Sequence, residues 1–128
     1  MIEGKFGTAI NCMDGRVQEP VANLLKVRYG LNFVDVVTEA GPVKLLAEND
    51  KAGVESILSR VMVSIEKHKS SVVAVAAHHD CAGNPVPKDA QIQQIQKALQ
   101  LLKGWNLGVK LVGIYVSDTW LADIVAEI

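Results

Sequence analysis

The chain has 128 residues, of which 49% are hydrophobic and 21% charged, and this balance is typical of a globular protein rather than a disordered one. A chain of this length can bury most of its apolar surface without disulfides, so we predict a single domain over residues 1–128. The net charge is −1, from 13 basic and 14 acidic residues, and the basic patch that a nucleic-acid partner would require is missing.

The first half of the chain alternates between strand-like and helix-like patterns. A short apolar run over residues 6–11, ending at Cys12, predicts a buried strand, and the valine-rich residues 33–38 predict a second one. Between them, apolar residues at helical spacing over 18–29 predict a helix that ends at Gly30, a suitable C-cap. A longer apolar stripe over 52–68 predicts an amphipathic helix with Asp50 as its N-cap.

The second half repeats this alternation. Residues 71–77 form an unbroken run of small apolar side chains, typical of a strand buried on both faces in the middle of a parallel sheet. A helix over 89–103 and a strand over 110–116 follow, and residues 120–128 are predicted to form a short closing helix. Strands that alternate with helices predict an α/β fold with a mostly parallel sheet and right-handed crossovers.

Reactive side chains follow two of these strands. Cys12 ends the first strand, and His78 and Cys81 lie three residues apart just after the third. Open parallel sheets bind ligands beyond the carboxyl ends of their strands, so these side chains meet if the two strands are neighbours. Two thiolates and one imidazole form a soft three-ligand set that favours zinc over magnesium or calcium and leaves a fourth position open, as in catalytic zinc sites.

The chain has only these two cysteines, and they are far apart in sequence. The N-terminal residues have no signal-peptide pattern, and no apolar run approaches the ~20 residues of a membrane span, so we expect a cytoplasmic protein without a membrane partner. In a reducing compartment the two thiols are better explained as ligands, nucleophiles or core residues than as a disulfide.

The two blocks around these residues resemble the signature of the β-class carbonic anhydrases, which is C-x-D-S-R after the first strand and H-x-x-C-G after the third. The matching residues here are Cys12, Asp14, Arg16, His78 and Cys81. Weaker similarities extend along the chain, in Val17 and Pro20, in Ala40-Gly41 and in Gly113-Ile114-Tyr115. The chain departs from the family pattern at Gly15, at Thr38-Glu39 and at Ala82.

The resemblance implies a three-layer fold whose four-stranded parallel core has the order 2-1-3-4, so that the first and third strands are neighbours. It implies a homodimer or a higher homo-oligomer, a Zn²⁺ cofactor, and a small-molecule substrate. The implied reaction is the reversible hydration of carbon dioxide to bicarbonate by a zinc-bound hydroxide, with Cys12, His78 and Cys81 as the metal ligands.

Asp14 and Arg16 are the predicted catalytic residues. A free carboxylate two residues from Cys12 could itself occupy the fourth metal position and close the site. Arg16 can hold that carboxylate in a bidentate pair, which keeps it off the metal and available to accept a proton. We therefore predict that this pair controls whether water reaches the metal.

Several alternatives remain open at this stage. The same zinc site could hydrolyse carbonyl sulfide or carbon disulfide, or the protein could use zinc only as a structural or sensing centre. The cysteines could also be buried core thiols. A cysteine phosphatase is disfavoured, because its loop places five residues between the nucleophile and the arginine, whereas three separate Cys12 from Arg16. His79 and Asp80 could each be a surface residue or a partner of a ligand.

Overall fold

The computed structural model describes residues 4–128, over which one or two helices separate each strand from the next as far as the fourth strand. The elements are β1 (Phe6–Cys12), α1 (Gln18–Tyr29), β2 (Phe33–Glu39), α2 (Pro42–Ala47), α3 (Lys51–His68), β3 (Val72–His78), α4 (Lys88–Lys103), β4 (Lys110–Val116) and β5 (Ala122–Glu127). Every predicted strand and helix up to residue 116 is confirmed to within a residue or so at its ends. The predicted caps are also present: Gly30 is left-handed at φ 64°, and the Asp50 side chain accepts a hydrogen bond from the Gly53 amide at 2.9 Å.

The strands form one sheet in the order β2-β1-β3-β4-β5. The first four are parallel to their neighbours, and β5 is antiparallel to β4. The predicted α/β class and the 2-1-3-4 core are therefore confirmed, with one further strand at the edge. In this order, β1 and β3 lie side by side and their carboxyl ends point the same way.

Helices cover both faces of the sheet, which makes three layers. One apolar cluster joins a face of the sheet to α1, and the other joins the opposite face to α2, α3 and α4. All seven residues of β3 are buried, as its unbroken apolar run predicted. Because β3 cannot move without disturbing both clusters, the loop that follows it starts from a rigid base.

The predicted closing helix over residues 120–128 is wrong. This segment contains β5, whose side chains alternate between half-buried and exposed along the strand. Leucine, alanine and glutamate favour a helix locally, but pairing with β4 satisfies an otherwise free sheet edge and places Ile124 against the α1-side cluster.

A short helix that the sequence did not reveal, α2, begins where Gly41-Pro42 indicates a turn. Proline is well suited to the first turn of a helix, where its missing N–H is not needed. Gly41 has φ 64°, and a Cβ there would lie 2.9 Å from the Gly83 carbonyl carbon. The loop after β2 therefore packs directly on the loop after β3, because Gly41 and Gly83 both lack a side chain.

None of the helices in the described part of the chain is both long and apolar enough to cross a membrane.

Candidate metal centre

Cys12, His78 and Cys81 converge at the carboxyl ends of β1 and β3. The Sγ atoms of the two cysteines are 3.9 Å apart, and one potential ligand atom from each of the three residues lies within 4.8 Å of the others. All three side chains are buried, with exposed fractions of 5% or less. The parallel pairing of β1 with β3 thus brings together residues that are 69 positions apart in the sequence.

The His78 ring is oriented by its own loop. Its Nδ1 atom lies 2.7 Å from the carbonyl oxygen of His79, and because a carbonyl can only accept, Nδ1 must carry the proton and donate it. The Nε2 atom then has a free lone pair. It is buried and has no hydrogen-bond partner among residues 4–128. A buried nitrogen with a free lone pair beside two thiols is the arrangement that a metal ion would satisfy.

The sulfur atoms also fit a cation. Burial, together with the neighbouring Cys12 sulfur, raises the pKa of Cys81 to about 11. Without a metal, the Cys81 thiol therefore stays protonated at neutral pH. A divalent cation between the sulfurs would reverse this preference, because coordination deprotonates a thiol. Two sulfurs and an imidazole match the ligand preference of zinc, so the residues present fit that metal.

Asp14 and Arg16 form a bidentate ion pair beside this group. Arg16 donates from Nε to Oδ1 of Asp14 at 3.0 Å and from Nη2 to Oδ2 at 2.7 Å, and its backbone amide donates to Oδ1 at 2.9 Å. Asp14 is not a member of the group of converging ligand atoms. The hydrogen bonds from Arg16 lower the pKa of Asp14 to about 2, so the carboxylate is ionised and held away from the three ligands.

Two residues that the sequence did not single out brace the loop after β1. The Gln18 side-chain amide donates to the backbone oxygens of Cys12 at 2.7 Å and Asp14 at 2.8 Å. The buried Asn11 side chain accepts from the Cys12 amide at 2.9 Å and donates to the Val17 oxygen at 3.2 Å. In the sequence these residues stand only as the end of a strand and the start of a helix, so no pattern marks their role.

The second loop contributes contacts of its own. Arg16 donates to the Asp80 side chain at 3.2 Å and to its backbone oxygen at 3.1 Å, so the two loops are joined through one guanidinium group. The sequence left open whether Asp80 is a surface residue or contacts a candidate metal ligand. In the structure its side chain pairs with Arg16. A cavity of about 330 Å³ opens next to Cys81 and is lined by Pro85, Val86 and Tyr115 among others. It is large enough to admit a small molecule to the vicinity of the sulfurs.

The Asp14–Arg16 pair should make the stability of the metal-free protein depend on acid pH. The pKa of Asp14 falls from 3.8 to about 2 on folding, so the contribution of the pair is complete above about pH 4 and is lost as the pH falls towards 2. Urea unfolding measures the free energy of unfolding of the wild-type protein and of Asp14→Asn at about pH 5 and about pH 2.5. Between these two pH values, the free energy of unfolding should decrease more in the wild type than in the variant. Equal losses in the two proteins would contradict a persistent ion pair.

A family model described as "Putative carbonic anhydrase" matches residues 2–126, nearly the whole chain. The chain belongs to this carbonic anhydrase family. The resemblance inferred from the motifs around Cys12 and His78 is thereby confirmed at the level of the family.

Solved carbonic anhydrases share the fold of this family member. One from Glaciozyma antarctica aligns with a TM-score of 0.61 at 16% identity, covering 93% of this chain and 80% of that one. A β-carbonic anhydrase of Trichomonas vaginalis aligns with a TM-score of 0.56 at 14% identity, covering 94% of this chain and 81% of that one. For a tetrameric β-carbonic anhydrase of Sordaria macrospora, the TM-score is 0.54 at 12% identity, with 97% and 82% covered. No curated protein matches this carbonic anhydrase family member in sequence.

Proposed function

We propose that this protein is a zinc-dependent carbonic anhydrase that reversibly hydrates carbon dioxide to bicarbonate. The observation that carries the proposal is the buried, unpartnered Nε2 atom of His78 beside two sulfurs that are 3.9 Å apart. Membership of the carbonic anhydrase family supports the choice of reaction. The paired Asp14 and Arg16 next to these ligands supply the acid–base chemistry that hydration requires.

In this proposal Cys12, His78 and Cys81 hold the zinc. Three protein ligands leave one position for water, which is the pattern of catalytic rather than structural zinc. The zinc would supply the Lewis acidity that makes water a nucleophile at neutral pH. The carbonyl of His79 would fix the proton on Nδ1 of His78, which leaves Nε2 as the ring nitrogen with a lone pair for the zinc.

Asp14 is the proposed proton acceptor. Its carboxylate is ionised at neutral pH, and the hydrogen bonds from Arg16 lower its pKa further, from 3.8 to about 2. Arg16 occupies both carboxylate oxygens, which prevents Asp14 from turning towards the ligand group. Arg16 is thus the residue that keeps a ligand position open, and Asp14 is the residue that takes the proton released when water is activated.

Metal analysis combined with activity measurements on the purified protein tests this function. We expect about one zinc per chain and carbon dioxide hydration measured by stopped-flow pH change, with loss of both after chelation and recovery of both after zinc is restored. Stoichiometric zinc without hydration would overturn the proposed reaction. In that case hydrolysis of carbonyl sulfide or carbon disulfide, assayed by sulfide release, would indicate the alternative substrates. A protein that binds no zinc would overturn the metal site itself.

We further propose that the protein is a cytoplasmic homo-oligomer. Strand β2 lies at the edge of the sheet and exposes about half of the Phe33 and Val36 side chains, which a second copy would cover. The similar protein from Sordaria macrospora is described as tetrameric. Both cysteines are free thiols, and a reducing compartment would keep them available as ligands.

A further inference from the structure

The guanidinium group of Arg16 makes contacts beyond its ion pair with Asp14. One edge donates to Asp14, and Nη1 and Nη2 also donate to the side chain and backbone of Asp80. One face of the group lies over the ring of Trp120, with 4.3 Å between Cζ of Arg16 and the ring centroid. The indole therefore covers one face of a cation whose side chain remains 44% exposed.

Trp120 is held in this place by a strained and braced turn between β4 and β5. Its φ is 61°, in the left-handed region that bulky residues rarely adopt. The turn is closed by hydrogen bonds from the Trp120 amide to the Ser117 oxygen at 2.9 Å and from the Ser117 amide to the Leu121 oxygen at 3.0 Å. The Ser117 hydroxyl also accepts from the amides of Thr119 and Leu121. The fold thus maintains an unfavourable backbone conformation that places this ring against Arg16.

The ring contacts the second loop as well as the first. The His79 ring meets Trp120 edge-on, with 6.4 Å between the ring centroids. Since His79 supplies the carbonyl that orients His78, the indole lies between the residue that orients a ligand and the residue that restrains Asp14. From the sequence alone, Trp120 is indistinguishable from a packing residue.

We propose that Trp120 is a positioning residue for Arg16, and through it for Asp14, an inference that rests on the proposed function. An arginine side chain has several rotatable bonds, and a half-exposed one would exchange its partners with water. An indole over the guanidinium face excludes water from that face and attracts the cation, so both donors stay on the Asp14 carboxylate. In this role Trp120 acts through Arg16 and does not take part in the reaction itself.

The experiment compares Trp120→Ala and Trp120→Phe with the wild-type zinc protein. Alanine, phenylalanine and tryptophan all carry a Cβ at φ 61°, so differences among the three report mainly on the ring. NMR of arginine side chains gives a readout other than activity: the Arg16 Nε–H signal should be shifted by the ring, and rotation of the guanidinium should be slow. In Trp120→Ala both properties should be lost, and in Trp120→Phe slow rotation should persist.

Kinetics then separate positioning from general stability. We expect kcat for carbon dioxide hydration to fall about tenfold in Trp120→Ala with KM within about twofold, and Trp120→Phe to recover most of the loss. Zinc content should be unchanged. The matched control is Trp105→Ala, which removes an indole that packs on the other apolar cluster beyond the end of α4. In that control, the Arg16 signal and kcat should remain those of the wild type.

An Arg16 signal that is the same in Trp120→Ala and wild type would overturn the proposal. So would a lost signal with unchanged kcat in an active protein. If wild-type protein binds zinc but does not hydrate carbon dioxide, the proposed function fails, while the NMR comparison still decides whether Trp120 positions Arg16.

Discussion

Replacing Cys81 by serine should lower the affinity of the protein for zinc by at least about 100-fold. Removing a residue that only hydrogen-bonds to a metal ligand already lowers metal affinity by about 10–100-fold, and Cys81 is a proposed ligand itself. Cys81 and Cys12 place their sulfurs 3.9 Å apart in a buried site, and a ligand atom of His78 lies within 4.8 Å of both. A serine hydroxyl is a harder and much less acidic donor than a thiol, so it cannot replace the thiolate. We expect His78→Ala to have an equal effect.

His79→Ala is the matched control for this prediction. His79 is adjacent to His78 and is exposed, and only its backbone oxygen accepts the hydrogen bond from His78 Nδ1. The substitution keeps that oxygen, so zinc affinity should stay close to that of the wild type. Competition titration with a chromophoric chelator measures all three variants. If Cys81→Ser retains wild-type affinity, Cys81 is not a ligand.

The Arg16→Ala variant should bind zinc as tightly as the wild type and yet lose at least about 100-fold in carbon dioxide hydration at neutral pH, the lower end of what a positioned acid–base group contributes. Arg16 contacts both oxygens of Asp14 but is not one of the three converging ligands. Without it, the carboxylate stays ionised at neutral pH but loses the bidentate hydrogen bonds that keep it from turning towards the ligand group. The activity should therefore fall while the metal content does not.

Two further arginine variants sharpen this test. Arg16→Lys keeps the charge but cannot form the bidentate contact, so its activity should fall between those of Arg16→Ala and the wild type. Arg28→Ala removes a different arginine, whose pairing with Glu127 is looser at 3.8 Å and lies at the far end of α1. It should leave hydration unchanged. Full activity in Arg16→Ala would refute the proposed role of the pair.

Much of the fold could be predicted from local patterns, because the central elements are each strongly apolar in a characteristic period. Strand β3 is buried along its whole length, and α3 carries a continuous apolar stripe with a side-chain cap at Asp50. The apolar side chains of such a segment are buried only when it forms the strand or helix whose period they follow. Residues 120–128 have no such constraint, and they became β5 only because the edge of β4 was available to pair with.

The sequence by itself determined which side chains we propose to carry the chemistry. Cys12, Asp14, Arg16, His78 and Cys81 stand in two recognisable blocks after two predicted strands. Only the tertiary structure decided how those side chains are held. Arg16 meets Asp80 across 64 residues, and Trp120 reaches it from a turn whose closing strand the sequence did not predict. Local patterns reflect the period of an element and its caps, whereas contacts between loops depend on strand order and on which edges are free. The residues of the candidate site could therefore be predicted from the sequence. The contacts that hold their side chains in place could not, because they form only when the sheet is assembled.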